Sequence, residues 1–190
     1  MDDRNDHRWR GSEKLAAALA HAGINVTGMV CADLGSNVGG FVDVLLRGGA
    51  AKVYAVEKGY NVLDYSLRRD ARVVVMERRN AMYVTLPEPC DLVTIDVGWT
   101  RQRNILPAAA RLLGPNGRII TLVKPHYEAE PSQLQGGVLP DALVESALER
   151  VSRFIAEMEL VVVDRCDSPI RGQAGNREVL LVLSSKATFL

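Results

Sequence analysis

Two carboxylates frame a glycine-rich turn in the first third of the sequence. The turn reads Asp33-Leu34-Gly35-Ser36-Asn37-Val38-Gly39-Gly40, and Glu57 follows 22 residues after Gly35. Glycines let a backbone turn sharply and approach a ligand closely. The dinucleotide fingerprint G-x-G-x-x-G is absent, because Asn37 stands where a second glycine would make room for a pyrophosphate. Asp33 would repel a pyrophosphate and attract a cation. Glu57 is spaced to accept both hydroxyls of a ribose. A nucleoside with a cationic arm and no phosphate meets both demands, and S-adenosylmethionine is such a molecule. Gly35, Ser36, Asn37, Gly39, Gly40 and Phe41 are the candidate binding stretch, with Lys58 and Asn80 as candidates for the adenosine end. The plainer alternative is a tight strand-to-helix turn with Glu57 as a solvated strand end.

Such residues act together only if a sheet brings them to one edge. Short apolar runs alternate with helical spacing. Strands are expected over 29–33, 52–56, 72–76, 92–95 and 118–123, then 160–166 and 178–183. A first helix begins at Gly11-Ser12, is lined by Leu15, Ala16 and Leu19, and stops at Gly23. Others follow the glycine turn up to Gly48-Gly49, cover about 62–69, and span 104–113 before GPNG. The segment 125–140 reads as a loop or lid. Asp141 can cap the clearest helix, whose apolar residues run from Leu143 to Met158 as core packing. Strand–helix alternation implies a parallel sheet with helices on both faces. The SPIRGQAGN turn is too short for a parallel crossover, so the last strand should run antiparallel. This is the Rossmann-like pattern of a class I methyltransferase, an α/β fold with a mostly parallel seven-stranded sheet. In such sheets ligands bind beyond the carboxyl ends of the strands.

The 190 residues carry 23 basic and 23 acidic side chains, so net charge is zero, and 47% are hydrophobic. That composition folds, and the length suits one domain that buries roughly 70% of its unfolded surface. Residues 1–10 read as a flexible arm and 11–190 as a single domain. Zero net charge excludes a protein that grips nucleic acid over its whole surface and confines any RNA site to a local patch. The cluster Arg68, Arg69, Arg72, Arg78 and Arg79, diluted by Asp70 and Glu77, is one such patch or else a solvated face. Arg101 and Arg103 follow the fourth strand. Trp99, His126 and Tyr127 could stack on a base or cover the cofactor. Apolar runs are too short to span a membrane, and Asp2, Asp3 and Asp6 oppose a signal peptide. Cys31, Cys90 and Cys166 are too scattered for a disulfide framework or a metal knuckle and read as small buried hydrophobes. The expected compartment is the cytoplasm, with no metal and no membrane partner.

Seven strings occur in one order: GSEKL, DLGSNVGGFVDVLLRGGAAKVYAVEKGY, LRRDARVVVMERRN, DLVTIDV, LVKPHYE, GGVLPD and SPIRGQAGNREVLL. Across about residues 8–184 the chain resembles the methyltransferase domain of TlyA-type proteins, known as haemolysins and as ribosomal RNA 2′-O-methyltransferases, in the wider FtsJ-like group. The resemblance implies S-adenosylmethionine as donor, RNA (ribosomal RNA above all) as partner, and a Lys-Asp-Lys-Glu tetrad. The matching strings place that tetrad at Lys14, Asp96, Lys124 and Glu178, and Asp96 also borders the cofactor. The family carries an S4 RNA-binding domain ahead of this region, whereas about a dozen residues precede Lys14 here, so a domain lacking S4 is expected. Gly98-Trp99 replaces a Ser-Phe pair, and Lys58 stands where an uncharged residue is expected.

A ribose hydroxyl is a poor nucleophile. Its methylation needs in-line approach and removal of the hydroxyl proton, which contributes about 10²–10⁴-fold when a base is positioned. Lysine can be that base only when neutral, a state that burial or a second cation promotes and that carboxylates oppose. Asp96 and Lys124 end strands four and five, and Glu178 begins the antiparallel strand, so all three fall on the active edge. Lys14 is placed by the resemblance alone; unaided it reads as an exposed helix lysine. Two alternatives stay open: the same fold acting on a small molecule or protein, or a non-catalytic module that binds cofactor or RNA. A membrane-lysing role would need an amphipathic or apolar segment, and the sequence shows none.

Overall fold

A computed structural model describes residues 10–185. The expected arm therefore lies outside the described residues, except Arg10, which is already helical. Seven strands form one sheet: β1 (Val30–Leu34), β2 (Lys52–Val56), β3 (Val73–Met76), β4 (Cys90–Ile95), β5 (Leu113–Val123), β6 (Leu160–Asp167) and β7 (Val179–Ser185). Their spatial order is β3-β2-β1-β4-β5-β7-β6. β7 alone is antiparallel to its neighbours, β5 and β6. The crossover from β5 to β6 leaves one strand position empty, and β7 turns back into it, buried along nearly all its length. The helices are α1 (Arg10–His21), α2 (Gly40–Arg47), α3 (Tyr65–Arg68), α4 (Gln102–Leu112), α5 (Pro125–Glu128) and α6 (Val144–Glu157).

Strand residues alternate between two apolar layers, as a period of two requires. Cys31, Val53, Leu92, Ile120 and Leu180 pack under α1 and α2 with Leu15, Leu19, Phe41 and Leu45. Ala32, Tyr54, Val93, Ile119 and Leu181 pack under α4 and α6 with Ile105, Leu106, Ala147, Val151 and Ile155. Covering both faces explains why the central strands are almost wholly apolar. Cys31 and Cys90 sit in this core, and Cys166 is half-buried.

Several boundaries differ from the sequence reading. On α1 the buried apolar residues are Leu15, Ala18 and Leu19, while Ala16 faces solvent. The helix expected over 62–69 is one turn, because the preceding loop is tied down instead by Glu77. GPNG does not separate α4 from β5: β5 begins at Leu113 and runs through it, with a register shift opposite Cys90/Leu92. Asp141 does not cap α6; it lies in a 3₁₀ turn, and its carboxylate pairs with Arg171 at 2.7 Å. The 125–140 segment is more ordered than a bare loop. It contains α5, a 3₁₀ turn at Pro131–Gln133 and a bridge between Gln135 and Val138, and it buries Ala129 and Leu139. No described helix is long and apolar enough to cross a membrane.

Candidate active site

The alternation that builds the core also aims the polar residues. Asp33 and Thr94 lie opposite each other in the β1–β4 register, on the side covered by α1 and α2. The Thr94 hydroxyl donates to Asp33 Oδ1 at 2.7 Å. Asp33 is 1% exposed, and its second oxygen, Oδ2, is buried with no partner. Burial pushes the Asp33 carboxyl up to about 7. The Thr94 hydroxyl opposes that rise, and the charges of Asp96 and Glu57 add to it. Ser36 Oγ, on the turn itself, is likewise buried and unpartnered. Buried polar atoms are almost always paired. Two orphans on one turn mark a place where a polar ligand fits.

Glu57 continues β2 beyond Val56. Its Oε2 accepts from the Asn37 N–H at 2.9 Å and its Oε1 from the Gly59 N–H at 2.7 Å. Each oxygen keeps a lone pair, so the carboxylate is pinned and still open to two hydroxyl donors. This chemistry fits the ribose of S-adenosylmethionine, and Asp33 with Ser36 fits its cationic amino-acid arm.

The glycines serve packing more than ligand approach. Gly35 has φ +88°, and a Cβ there would lie 2.5 Å from the Asp96 carbonyl oxygen. At Gly39, with φ +107°, a Cβ would collide with Leu67 Cδ1. A Cβ on Gly40 would crowd the Ser12 N–H, and the Ser12 hydroxyl donates to the Gly40 carbonyl at 3.1 Å, seating α1 on the turn. Phe41 is 3% exposed in the core beneath α1, where its side chain supports the turn. Asn37 is exposed with φ +48°. Lys58 is exposed. Asn80 is exposed and accepts the Met82 N–H, capping a 3₁₀ turn.

At the neighbouring strand ends stand two ion pairs. Lys124 Nζ lies 2.7 Å from Asp96 Oδ1 and donates to the Val97 carbonyl at 3.1 Å. Lys14 Nζ lies 2.6 Å from Glu178 Oε2. Val123 pairs with Val179 in the antiparallel register. Lys124 and Glu178 are therefore next to one another on adjacent strands, one step beyond that pair. Lys14 is not an exposed helix lysine: its side chain is 11% exposed and that of Glu178 4%. Gly172 leaves space for this carboxylate, since a Cβ there would sit 2.7 Å from Glu178 Oε1. Asn176, also buried, accepts from the Leu139 N–H and donates to the Gly137 carbonyl, tying the 125–140 segment to the loop that carries Glu178.

Beside Lys124, Tyr127 stacks on Trp99 with ring centroids 5.5 Å apart and touches His126. Trp99 is 92% exposed. Burial, then the Lys124 charge, lowers the His126 pKa. Arg101 donates to the Tyr127 carbonyl and so holds this shelf. The acids that dilute the arginine cluster in sequence pair with two of its members. Arg68 pairs with Glu77 and Arg72 with Asp70, while Arg69, Arg78 and Arg79 stay exposed.

Sequence reasoning passed over Thr94, Ser12, Gly172 and Asn176. Thr94 did carry a signal, as a hydroxyl inside an otherwise apolar buried strand. The other three depend on contacts between distant segments.

Comparison with known proteins places nearly the whole chain in a family. Residues 7–185 match the FtsJ-like methyltransferase family. Bacillus subtilis YqxC is 40% identical over 183 residues, 92% of this chain, and the chain spans 64% of that protein's length. The 16S/23S rRNA (cytidine-2′-O)-methyltransferase TlyA of Mycobacterium tuberculosis is 39% identical over 190 residues, 96% of this chain and 70% of that protein. A crystal structure labelled a hemolysin, from Lactococcus lactis, superposes with a TM-score of 0.88 at 36% identity, covering 92% of this chain and 86% of that one. Matched by the family model over residues 7–185 and 39–40% identical to YqxC and TlyA, the chain belongs to the FtsJ-like methyltransferase family.

Proposed function

We propose that residues 11–190 act as one catalytic domain that transfers a methyl group from S-adenosylmethionine to a ribose 2′-hydroxyl of RNA, with ribosomal RNA as the substrate class and the cytoplasm as the compartment. The supporting observation is the pair of lysine–carboxylate ion pairs on adjacent strand ends, beside the unpartnered polar atoms of the glycine turn. Asp33 and Ser36 would hold the amino-acid arm of the donor, and Glu57 its ribose. When bound, S-adenosylmethionine supplies an electrophilic methyl group on a sulfonium.

Lys124 is suited to take the hydroxyl proton. A neutral amine has two hydrogens and one lone pair, and two acceptors, Asp96 Oδ1 and the Val97 carbonyl, surround this one. With both hydrogens so engaged, the lone pair is left for the acceptor hydroxyl. Asp96 thus fixes the amine's rotation and steadies the ammonium formed when the proton arrives. Lys14 and Glu178 neutralise each other in a buried setting at the strand end beside Lys124. Exposed Arg69, Arg78, Arg79 and Lys58 would meet phosphates, and the Trp99–Tyr127 shelf would take a base face.

The test is transfer of labelled methyl from S-adenosylmethionine to ribosomal subunits, followed by nuclease digestion. Label in a 2′-O-methylated nucleoside supports the reading. Label in a base, in protein or in a small molecule refutes it.

A further inference from the structure

Glu77 looks in sequence like a stray acid that dilutes a basic cluster. In the structure its side chain is 7% exposed and is the anchor of a loop. Glu77 Oε2 accepts from the Asn61 N–H at 2.7 Å. Oε1 accepts from the Val62 N–H at 2.9 Å, from the Leu63 N–H at 3.3 Å, and from the Arg68 guanidinium. Three consecutive amides converging on one carboxylate form an anion nest, here filled by the protein's own side chain.

That loop touches both halves of the donor site. At its start, the Gly59 N–H donates to Glu57 Oε1 at 2.7 Å. At its end, the Asp64 N–H donates to the Val38 carbonyl at 3.0 Å, and Leu63 and Leu67 fill the space a Cβ at Gly39 would take. The chain beside Glu77 adds two more ties: the Arg78 N–H donates to the Gly59 carbonyl and the Arg79 N–H to the Glu57 carbonyl. The loop is therefore a strut between Glu57 and the glycine turn, and Glu77 sets where the strut sits.

We propose that Glu77 is a positioning residue of the donor site, fixing the separation between the Glu57 carboxylate and the Gly35–Gly40 turn. The proposal rests on the donor reading given above. Glu77 touches neither donor nor acceptor; it acts through Glu57 and the turn. Its loss should weaken donor and product binding while leaving the chemical step intact, because Lys124 and Asp96 belong to other segments.

Glu77→Gln keeps the shape and one acceptor oxygen but loses the charge. Calorimetry with S-adenosylhomocysteine reads the effect without turnover. The expected result is a Kd raised at least about tenfold, the size of one lost charge-assisted hydrogen bond. At saturating donor, kcat should stay within about twofold. Hydrogen exchange should quicken at Asn61–Leu63 and Gly59 and stay unchanged in β4 and β5. If Glu77→Gln does not fold, Arg68→Gln, which removes the guanidinium from the same carboxylate, carries the test with the same expected pattern. A folded variant with wild-type affinity for S-adenosylhomocysteine overturns the proposal. So does a fall in kcat with product affinity unchanged. A wild-type protein that binds no S-adenosylhomocysteine overturns the donor site itself, a result visible before any variant is made.

Discussion

Replacing Lys14 by alanine strands a carboxylate. Glu178 is 4% exposed, and its Oε2 is held at 2.6 Å by an amine that is itself mostly buried. Removing one partner of a buried pair leaves an uncompensated charge and costs about 3–5 kcal/mol. An exposed pair would cost about 0–1 kcal/mol. For a chain of 190 residues, each kcal/mol moves Tm by about 2–4 °C. Lys14→Ala should therefore lower Tm by about 6–20 °C, against about 0–4 °C if the pair were solvated. Removing both charges, as in Lys14→Met with Glu178→Leu, should recover most of the loss, since two apolar groups leave nothing buried and unpaired. Circular dichroism melts without cofactor read both numbers. Repeating them in high salt should change little, because a buried pair is poorly screened. A single variant that melts within about 3 °C of wild type would refute burial of the pair, as would a double variant no better than the single one.

Other expectations follow from the same side chains. Glu57→Ala should weaken S-adenosylhomocysteine by about 1.5–3 kcal/mol in calorimetry; unchanged affinity would put the ribose elsewhere. Asp33, pushed up to about 7 by burial, keeps a proton that the unfolded chain loses near its ordinary 3.8. Between those values the folded state binds more protons, so this contribution to stability falls as pH rises. Asp33→Asn should then raise the melting temperature of the cofactor-free protein at about pH 8 while weakening product binding; a lower Tm there would contradict the burial argument. Glu77 behaves oppositely. Burial pushes its carboxyl up, but Arg68 and three amides override this and hold it at about 2, below the usual 4.5. Its contribution is present above the ordinary value and is lost as pH falls toward 2, so Glu77→Gln should flatten the acid limb of a stability–pH curve measured by urea unfolding.

The strand–helix alternation and the antiparallel return of β7 were legible because apolar period and turn residues encode them locally. Asp33 and Glu57 could be found for the same reason: strand ends in a parallel sheet fall on one edge. Lys14 could not be placed by any pattern. Its burial depends on Glu178, 164 positions away in sequence, and on the space left at Gly172. The glycine turn was visible, but not the packing it also serves: Gly39 and Gly40 admit Leu67 and α1, contacts that composition cannot show. Asp141 has the residue type of a helix cap, yet Arg171 takes its carboxylate, and α6 begins at Val144 without a side-chain cap. The dilution of the arginine cluster by Asp70 and Glu77 was legible from local charge arithmetic, but which two arginines those acids pair with, Arg72 and Arg68, was not.

Single-turnover methyl transfer to ribosomal RNA, compared among wild type, Lys124→Ala and Lys124→Arg, bears most directly on the assignment of Lys124 as the base. Lys124→Ala should keep its product affinity and lose at least about 10²-fold in rate, the lower end for a missing general base. Lys124→Arg should restore little, since a guanidinium stays protonated and has no lone pair to offer. An arginine variant with full activity would contradict the base role and leave Lys124 as a cationic contact.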